Sequence, residues 1–193
     1  KVLTAEDLTR LNGSWGRYKD VDADGIGWRT LPGTDHPLAA YFTRGTGHNE
    51  SALYSERPEH WEANMDRLGR KFETARKLVP APIEDRVEGT EIGFIGYGST
   101  DPAIVEARSR LTAKGVKTSY LRLRALPLSE SVESFVRAHD RVYVVELNTD
   151  AQVTQLVRLD TPELAGRVFP FNHNDGLPLT ARWITENLEK MEA

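Results

Sequence analysis

The chain has 193 residues, of which 39% are hydrophobic and 28% are charged, and its formal net charge is −4. This composition is typical of a folded globular protein and excludes a disordered chain. The net negative charge argues against a nucleic-acid partner, which needs a cationic surface. The sequence has no cysteine, so the chain by itself forms no disulfide, thiolate zinc site or iron–sulfur cluster.

No apolar run approaches the roughly 20 residues that a membrane span requires, and we expect no signal peptide before Leu3. The absence of disulfides fits a reducing compartment, and we predict a cytoplasmic protein with no membrane partner. The chain begins with Lys1 and its first segment has few apolar residues. We therefore expect it to be a portion of a longer polypeptide.

The first part of the chain is rich in glycine and polar residues and predicts few regular elements. Thr4 is expected to cap a short helix that ends at Leu11. A loop is predicted over 20–37, and a short buried strand over 38–43. A helix is predicted over 58–78, because apolar residues at spacings of three and four form one stripe. The stripe consists of Trp61, Met65, Leu68, Phe72 and Ala75.

The second part of the chain alternates strands and helices. Prolines at 80 and 82 end the long helix and predict a linker over 81–90. The predicted strands cover 92–97, 116–123, 141–147 and 168–171, and the predicted helices cover 102–114, 129–138, 151–159 and 180–191. This alternation predicts the α/β class, with a parallel sheet and right-handed crossovers over 91–193.

An acidic segment at 20–25 reads Asp-Val-Asp-Ala-Asp-Gly, which matches the opening of an EF-hand calcium loop. The twelfth position of such a loop is a glutamate, but here it is Leu31, and Pro32 prevents the helix that should follow. An acidic surface turn is therefore favoured over a calcium site. The five histidines show no metal-binding spacing either, and we predict no metal ligand in this chain.

A glycine-rich segment at 93–98 reads Gly-Phe-Ile-Gly-Tyr-Gly and follows a predicted strand. Its spacing differs from the GxGxxG pattern of dinucleotide-binding proteins. The free N–H groups at the start of the next helix attract anions, although Asp101 already supplies one. A tight strand-to-helix turn is favoured, and an anion- or nucleotide-binding module stays open as an alternative.

The densest polar cluster is Arg-Gly-Thr-Gly-His-Asn-Glu at 44–50. Its two glycines allow a ligand to approach closely, and the other five side chains form hydrogen bonds. Arginine can hold a carboxylate with two parallel hydrogen bonds, and Trp28 beside Arg29 can exclude water from such a contact. The pattern fits a site for a polar or anionic small molecule. A loop tied to its neighbours is the alternative that the residues alone leave open.

Six segments closely resemble the α subunit of 2-oxoacid:ferredoxin oxidoreductases, with the 2-oxoglutarate type as the nearest match. They lie at 28–33, 41–50, 64–68, 70–76, 97–101 and 121–127, in the order of the family. The longest reads Tyr-Phe-Thr-Arg-Gly-Thr-Gly-His-Asn-Glu. The resemblance covers only the C-terminal portion of that subunit. It implies that 1–80 is the end of a pyrimidine-type thiamine domain and that 91–193 is a transketolase C-terminal-like domain.

The resemblance implies a heteromeric enzyme in which thiamine diphosphate promotes decarboxylation of a 2-oxoacid. The acyl group passes to coenzyme A, and electrons pass through an iron–sulfur cluster to ferredoxin. The implied partners are the β subunit, the remainder of the α subunit, ferredoxin, the 2-oxoacid and coenzyme A. Thiamine diphosphate, Mg²⁺ and the [4Fe-4S] cluster are expected mainly on the β subunit. A non-catalytic docking role stays open, because fold alone does not specify function.

The resemblance also assigns substrate-binding residues. The substrate-carboxylate arginine of the family falls at Arg29 and its neighbouring threonine at Thr46. Arg44 and His48 are added as substrate-binding candidates from the polar cluster alone. The substrate loop Tyr-Pro-x-Thr-Pro and the glutamate that activates thiamine are expected outside this sequence. We therefore predict no catalytic residue in this chain and no catalysis by the chain alone.

Overall fold

The computed structural model describes residues 1–42 and 45–193, which divide into two units. Unit 1 comprises Lys1–Leu78 and unit 2 comprises Val79–Ala193. Among the described residues, no helix is long and apolar enough to span a membrane.

The described residues of unit 1 form two helices, α1 (Ala5–Leu11) and α2 (Pro58–Leu78), connected by long loops. α1 begins where the sequence predicts, at a reciprocal capping box. The hydroxyl of Thr4 accepts the N–H of Asp7 at 3.2 Å, and the Asp7 carboxylate accepts the N–H of Thr4 at 3.0 Å. These bonds satisfy donors that have no partner within the helix. α1 ends at Leu11 and is capped by Asn12, which adopts a left-handed conformation with φ 44°.

The strand predicted over 38–43 is wrong for its described part, 38–42, which forms a turn and an irregular segment. His36 begins the turn by accepting the N–H of Ala39 on its carbonyl at 2.9 Å and the N–H of Leu38 on its Nδ1 at 3.1 Å. Leu38, Tyr41 and Phe42 are exposed, so this apolar run has no core to enter. Thr43 lies outside the described residues.

α2 confirms the helix predicted over 58–78, but it is a polar face of the helix that packs against the loop at 24–25 of the same unit. Nη1 of Arg67 donates to the carbonyl of Gly25 at 3.0 Å, and the hydroxyl of Thr74 donates to the carbonyl of Asp24 at 2.7 Å. The loop lies so close that a Cβ on Gly25 would be 2.3 Å from the backbone nitrogen of Lys71. Most of the predicted apolar stripe is exposed and does not enter a core, because Trp61, Met65 and Phe72 are 60%, 41% and 57% exposed.

Unit 2 contains a five-stranded sheet. Its strands are β1 (Ile83–Asp85), β2 (Ile92–Gly96), β3 (Ser119–Arg122), β4 (Arg141–Glu146) and β5 (Val168–Asn172), in the spatial order β1-β3-β2-β4-β5. β1 is antiparallel to β3, and the other pairs are parallel. The predicted α/β class with a parallel sheet is confirmed. The antiparallel edge strand β1 was not predicted from the sequence, since it lies in the segment 81–90 that was predicted to be a linker.

Four helices pack on the sheet of unit 2. They are α3 (Asp101–Ala113), α4 (Glu130–Arg137), α5 (Gln152–Asp160) and α6 (Ala181–Met191). Successive residues of a strand point to opposite faces, and Phe94 and Ile95 of β2 belong to different cores. The first core includes α3 and α6, and the second includes α4 and α5. Because both faces are covered, every residue of β2 is buried.

Candidate functional site

The polar cluster at 44–50 leads into a short hairpin of unit 1. His48 and Tyr54 form an antiparallel bridge, and the N–H of Ser55 donates to the carbonyl of Gly47 at 3.1 Å. The side-chain oxygen of Asn49 accepts two backbone N–H groups of the turn, each at 3.0 Å. A Cβ on Gly47 would lie 2.4 Å from the carbonyl oxygen of Ser55. Glycine at this position therefore lets the two arms of the hairpin approach each other.

Thr46 and His48 lie on either side of Gly47 and line two neighbouring cavities. Thr46 is exposed and lines a cavity of about 470 Å³ together with Trp61. His48 is half-buried and lines a second cavity, also of about 470 Å³. Its imidazole stacks on the ring of Tyr18 with a centroid distance of 4.0 Å and an interplanar angle of 21°. Arg44, the third candidate of this segment, lies outside the described residues.

Arg29 is held by its backbone, and its side chain is exposed. Its N–H donates to the carbonyl of Lys1 at 3.0 Å, and its carbonyl accepts the N–H of Leu3 at 2.8 Å. Within residues 1–42 and 45–193, its guanidinium has no hydrogen-bond or ion-pair partner. The indole N–H of Trp28 donates to the carboxylate of Asp22 at 3.0 Å. The assignment of Arg29 to a substrate carboxylate stays a prediction.

The acidic segment at 20–25 uses its carboxylates within unit 1. The ammonium of Lys1 lies 2.5 Å from Asp22 and 2.7 Å from Asp24. Asp20 accepts a backbone N–H at 2.9 Å and pairs with Arg70 of α2 at 3.0 Å. Across the described part of the chain, no group of three or more His, Asp or Glu side chains could hold a metal ion. The segment therefore acts as a turn on which α2 packs.

The sequence did not indicate Arg67 as a candidate functional residue, although this cation of α2 is only 8% exposed. The Cζ of Arg67 lies 5.4 Å from the ring centroid of Tyr18, and the Cζ of Arg17 lies 5.2 Å from the same centroid. Burial, followed by the nearby charge of Arg17, lowers the pKa of Arg67. The apolar periodicity of α2 did not predict that this residue is buried, because Arg67 lies outside the apolar stripe. The one signal in the sequence was its place in 64–68, a segment that carries the resemblance.

The glycine-rich segment of unit 2 is explained by close packing. A Cβ on Gly93 would lie 2.7 Å from the ring of Phe135, and a Cβ on Gly96 would lie 2.2 Å from Cδ1 of Ile104. Asp101, at the start of α3, accepts the hydroxyl of Tyr120 at 3.0 Å. These contacts favour a tight strand-to-helix turn over a nucleotide site.

Glu146 is a second buried charged residue that sequence reasoning missed. It ends β4 and is fully buried. Its carboxylate accepts the N–H groups of Val153 and Thr154, each at 2.8 Å, in the first turn of α5. The hydroxyl of Thr154 and the side-chain amide of Asn148 donate to it at 2.8 Å and 2.9 Å. Because donors of the chain itself and a helix N-terminus bind this anion, we interpret it as structural.

Comparison with known proteins gives matches over most of the chain, although no protein-family model matches it. Two curated proteins of Aeropyrum pernix match at the level of sequence. The α subunit of 2-oxoacid:ferredoxin oxidoreductase 2 is 29% identical over 150 residues, and the α subunit of 2-oxoacid:ferredoxin oxidoreductase 1 is 30% identical over 144 residues. The chain is similar to 2-oxoacid:ferredoxin oxidoreductase α subunits. The predicted resemblance to this family is confirmed.

A solved structure supports the same resemblance. It is the 2-oxoglutarate:ferredoxin oxidoreductase of Magnetococcus marinus with 2-oxoglutarate, coenzyme A and succinyl-CoA bound. The match covers 92% of this chain at 26% identity with a TM-score of 0.75. The chain spans 23% and 22% of the two curated α subunits and 31% of the solved oxidoreductase chain.

Proposed function

We propose that the chain is the C-terminal portion of the α subunit of a 2-oxoglutarate:ferredoxin oxidoreductase. The observation that carries this proposal is the match to the solved enzyme of that name, which extends over 92% of the chain. The two curated α subunits support the general class. The proposed reaction is oxidative decarboxylation that depends on coenzyme A and uses ferredoxin as the electron acceptor.

In this proposal unit 1 contributes to the substrate side of the active site. The guanidinium of Arg29, which has no hydrogen-bond or ion-pair partner among the described residues, presents the planar fork that binds a carboxylate with two hydrogen bonds. Thr46 and His48 add a hydroxyl and an imidazole beside neighbouring cavities. Arg44 completes the set as a second cation. These residues bind and orient the substrate, and none of them makes or breaks a bond.

Thiamine diphosphate, Mg²⁺ and a [4Fe-4S] cluster belong to the assembled enzyme in this proposal. The cluster needs cysteine thiolates, which the sequence lacks. Within the described ranges, the carboxylates and imidazoles are not grouped for a metal ion. The residues present therefore do not fit Mg²⁺ or the [4Fe-4S] cluster, and we assign these two cofactors to the β subunit. When bound, thiamine diphosphate supplies the electron sink for decarboxylation, while protein groups orient the reactants.

The exposed stripe of α2 supports a partner that covers it. Trp61, Met65 and Phe72 lie on one side of the helix and are each at least 41% exposed. A large apolar patch of this kind marks an interaction site, and full burial of one such side chain contributes about 1.5–3 kcal/mol. We propose that the remainder of the α subunit packs on this stripe. The β subunit and ferredoxin complete the assembly, and the cysteine-free sequence supports a cytoplasmic location.

The test measures reduction of ferredoxin by the complete enzyme with 2-oxoglutarate and coenzyme A. The Arg29→Ala variant should lower kcat/KM about 100-fold, which corresponds to about 2.7 kcal/mol of lost transition-state binding. Arg10→Ala is the matched control, because Arg10 is an exposed arginine of unit 1 that pairs with Asp7 on the same helix. It should leave kcat/KM unchanged.

Three results would count against the proposal. An unchanged kcat/KM in Arg29→Ala would remove Arg29 from the substrate site. A wild-type enzyme that reduces ferredoxin with pyruvate but not with 2-oxoglutarate would reject the proposed substrate, and one that uses no 2-oxoacid would reject the function.

A further inference from the structure

The guanidinium of Arg67 uses only part of its hydrogen-bonding capacity, although the residue is buried and only 8% exposed. Nη1 donates to the carbonyl of Gly25 at 3.0 Å, whereas Nε has no hydrogen-bond partner. Within the described residues, no carboxylate forms an ion pair with Arg67. A buried cation without a counter-ion is costly, and an anion that pairs with it offsets part of that cost.

The charges around Arg67 leave positive charge unbalanced. Asp20 is near enough to raise the pKa of Arg67, but it already pairs with Arg70 at 3.0 Å and accepts a backbone N–H at 2.9 Å. Arg17 and Arg70 act in the opposite direction and lower that pKa. Arg67 therefore lies near two other guanidinium groups, and the carboxylate of Asp20 is already bound. Another anion in this region would find a favourable potential.

A cavity of about 310 Å³ adjoins Arg67, and we call it the Arg67 cavity. Its lining includes Tyr18, Asn49, Ser51 and His60. The amide, the hydroxyl and the imidazole are able to donate hydrogen bonds, and the Tyr18 ring holds the guanidinium in place. Two acidic residues also line the cavity, namely Asp20, which is paired with Arg70, and Glu50, which is exposed. The volume is at the lower end of small-molecule sites and suits a small organic acid.

We propose that the Arg67 cavity binds the carboxylate of a small organic acid. Since Nη1 is engaged by Gly25 and Nε is enclosed by the protein, Nη2 remains to donate a charge-assisted hydrogen bond to the carboxylate of the ligand. The acid gives the buried cation its missing counter-ion. The proposal concerns unit 1 alone and stands whether or not the complete enzyme acts on 2-oxoglutarate.

The experiment is isothermal titration calorimetry of the 193-residue chain with three probes. They are succinate, its uncharged analogue succinamide, and inorganic phosphate. Succinate should bind saturably, succinamide should not bind, and phosphate should bind at least tenfold more weakly than succinate. The Arg67→Met variant should lose at least tenfold in affinity for succinate. Lys77→Met is the matched control, because it removes one positive charge from an exposed position of α2 and should leave the affinity unchanged.

Circular dichroism establishes first that each variant is folded. If Arg67→Met does not fold, Arg67→Lys replaces it, because lysine keeps the charge but its single ammonium cannot donate both to Gly25 and to the ligand from the positions of Nη1 and Nη2. This variant should also bind succinate at least tenfold more weakly. The proposal is overturned if wild-type chain shows no saturable binding of succinate, or binds succinamide equally well. Preference for phosphate, or unchanged affinity in a folded Arg67 variant, overturns it as well. Because the readout is binding to this chain, its failure is separate from failure of the turnover test.

Discussion

Replacement of the buried Glu146 by glutamine should destabilise unit 2 by about 3 kcal/mol. One carboxylate oxygen accepts the N–H and the hydroxyl of Thr154, and the other accepts the N–H of Val153 and the amide of Asn148. The second oxygen also accepts the hydroxyl of Tyr97 at 3.3 Å. Whichever oxygen becomes an NH₂ group, at least two donors lose their acceptor. A buried unsatisfied group costs about 1–3 kcal/mol, and loss of an anion at a helix N-terminus costs up to about 2 kcal/mol.

The assay is amide hydrogen exchange of β4 together with urea unfolding of the chain, since exchange reports the free energy of opening in one unit. Glu163→Gln is the matched control, because Glu163 is exposed and pairs with Arg137 at 3.2 Å. We expect this control to change the free energy of unfolding by less than about 0.5 kcal/mol. A Glu146→Gln variant as stable as the control would refute the argument that this carboxylate holds α5 on β4.

Two further changes test packing and capping. Gly96→Ala should destabilise unit 2 by about 1–3 kcal/mol in urea unfolding, because its Cβ would lie 2.2 Å from Cδ1 of the buried Ile104. Gly166→Ala is the control, since a Cβ on Gly166 meets no atom within 4 Å. Equal stability of the two variants would contradict this packing. The N–H of Thr4 lowers the pKa of Asp7, so the stabilisation of α1 by ionised Asp7 should be present above about pH 4 and lost as the pH falls below the lowered pKa. NMR shifts of α1 should follow this loss in the wild type but not in Asp7→Asn, and identical pH profiles would argue against the capping role.

Much of the fold follows from local sequence patterns. The apolar run of β4 predicts a strand buried on both faces, and five of its six residues are buried. The alternation of strands and helices then restricts the topology to a parallel sheet. Thr4 caps the start of α1, and Gly115 follows α3 with φ +84°, a conformation that glycine adopts without strain. These features depend on residues that are near each other in the chain.

Part of the candidate site was also visible in the sequence. The residues at 44–50 predicted a site for a polar or anionic small molecule, and Thr46 and His48 line cavities. The need for glycine at 47 depends on the approach of Ser55, which only the folded hairpin shows. The substrate roles of Arg29, Thr46, Arg44 and His48 stay predictions.

The sequence by itself determined the α/β class, the positions of the helices and the resemblance to the oxidoreductase α subunits. Only the tertiary structure decided that α2 turns Arg67 inward and leaves Trp61 and Phe72 exposed. The partner of Arg67 on that face is Gly25, which is 42 residues away in the chain. Helical periodicity shows which side chains share a face. The segment that covers that face depends on contacts between distant parts of the chain, which no local pattern contains.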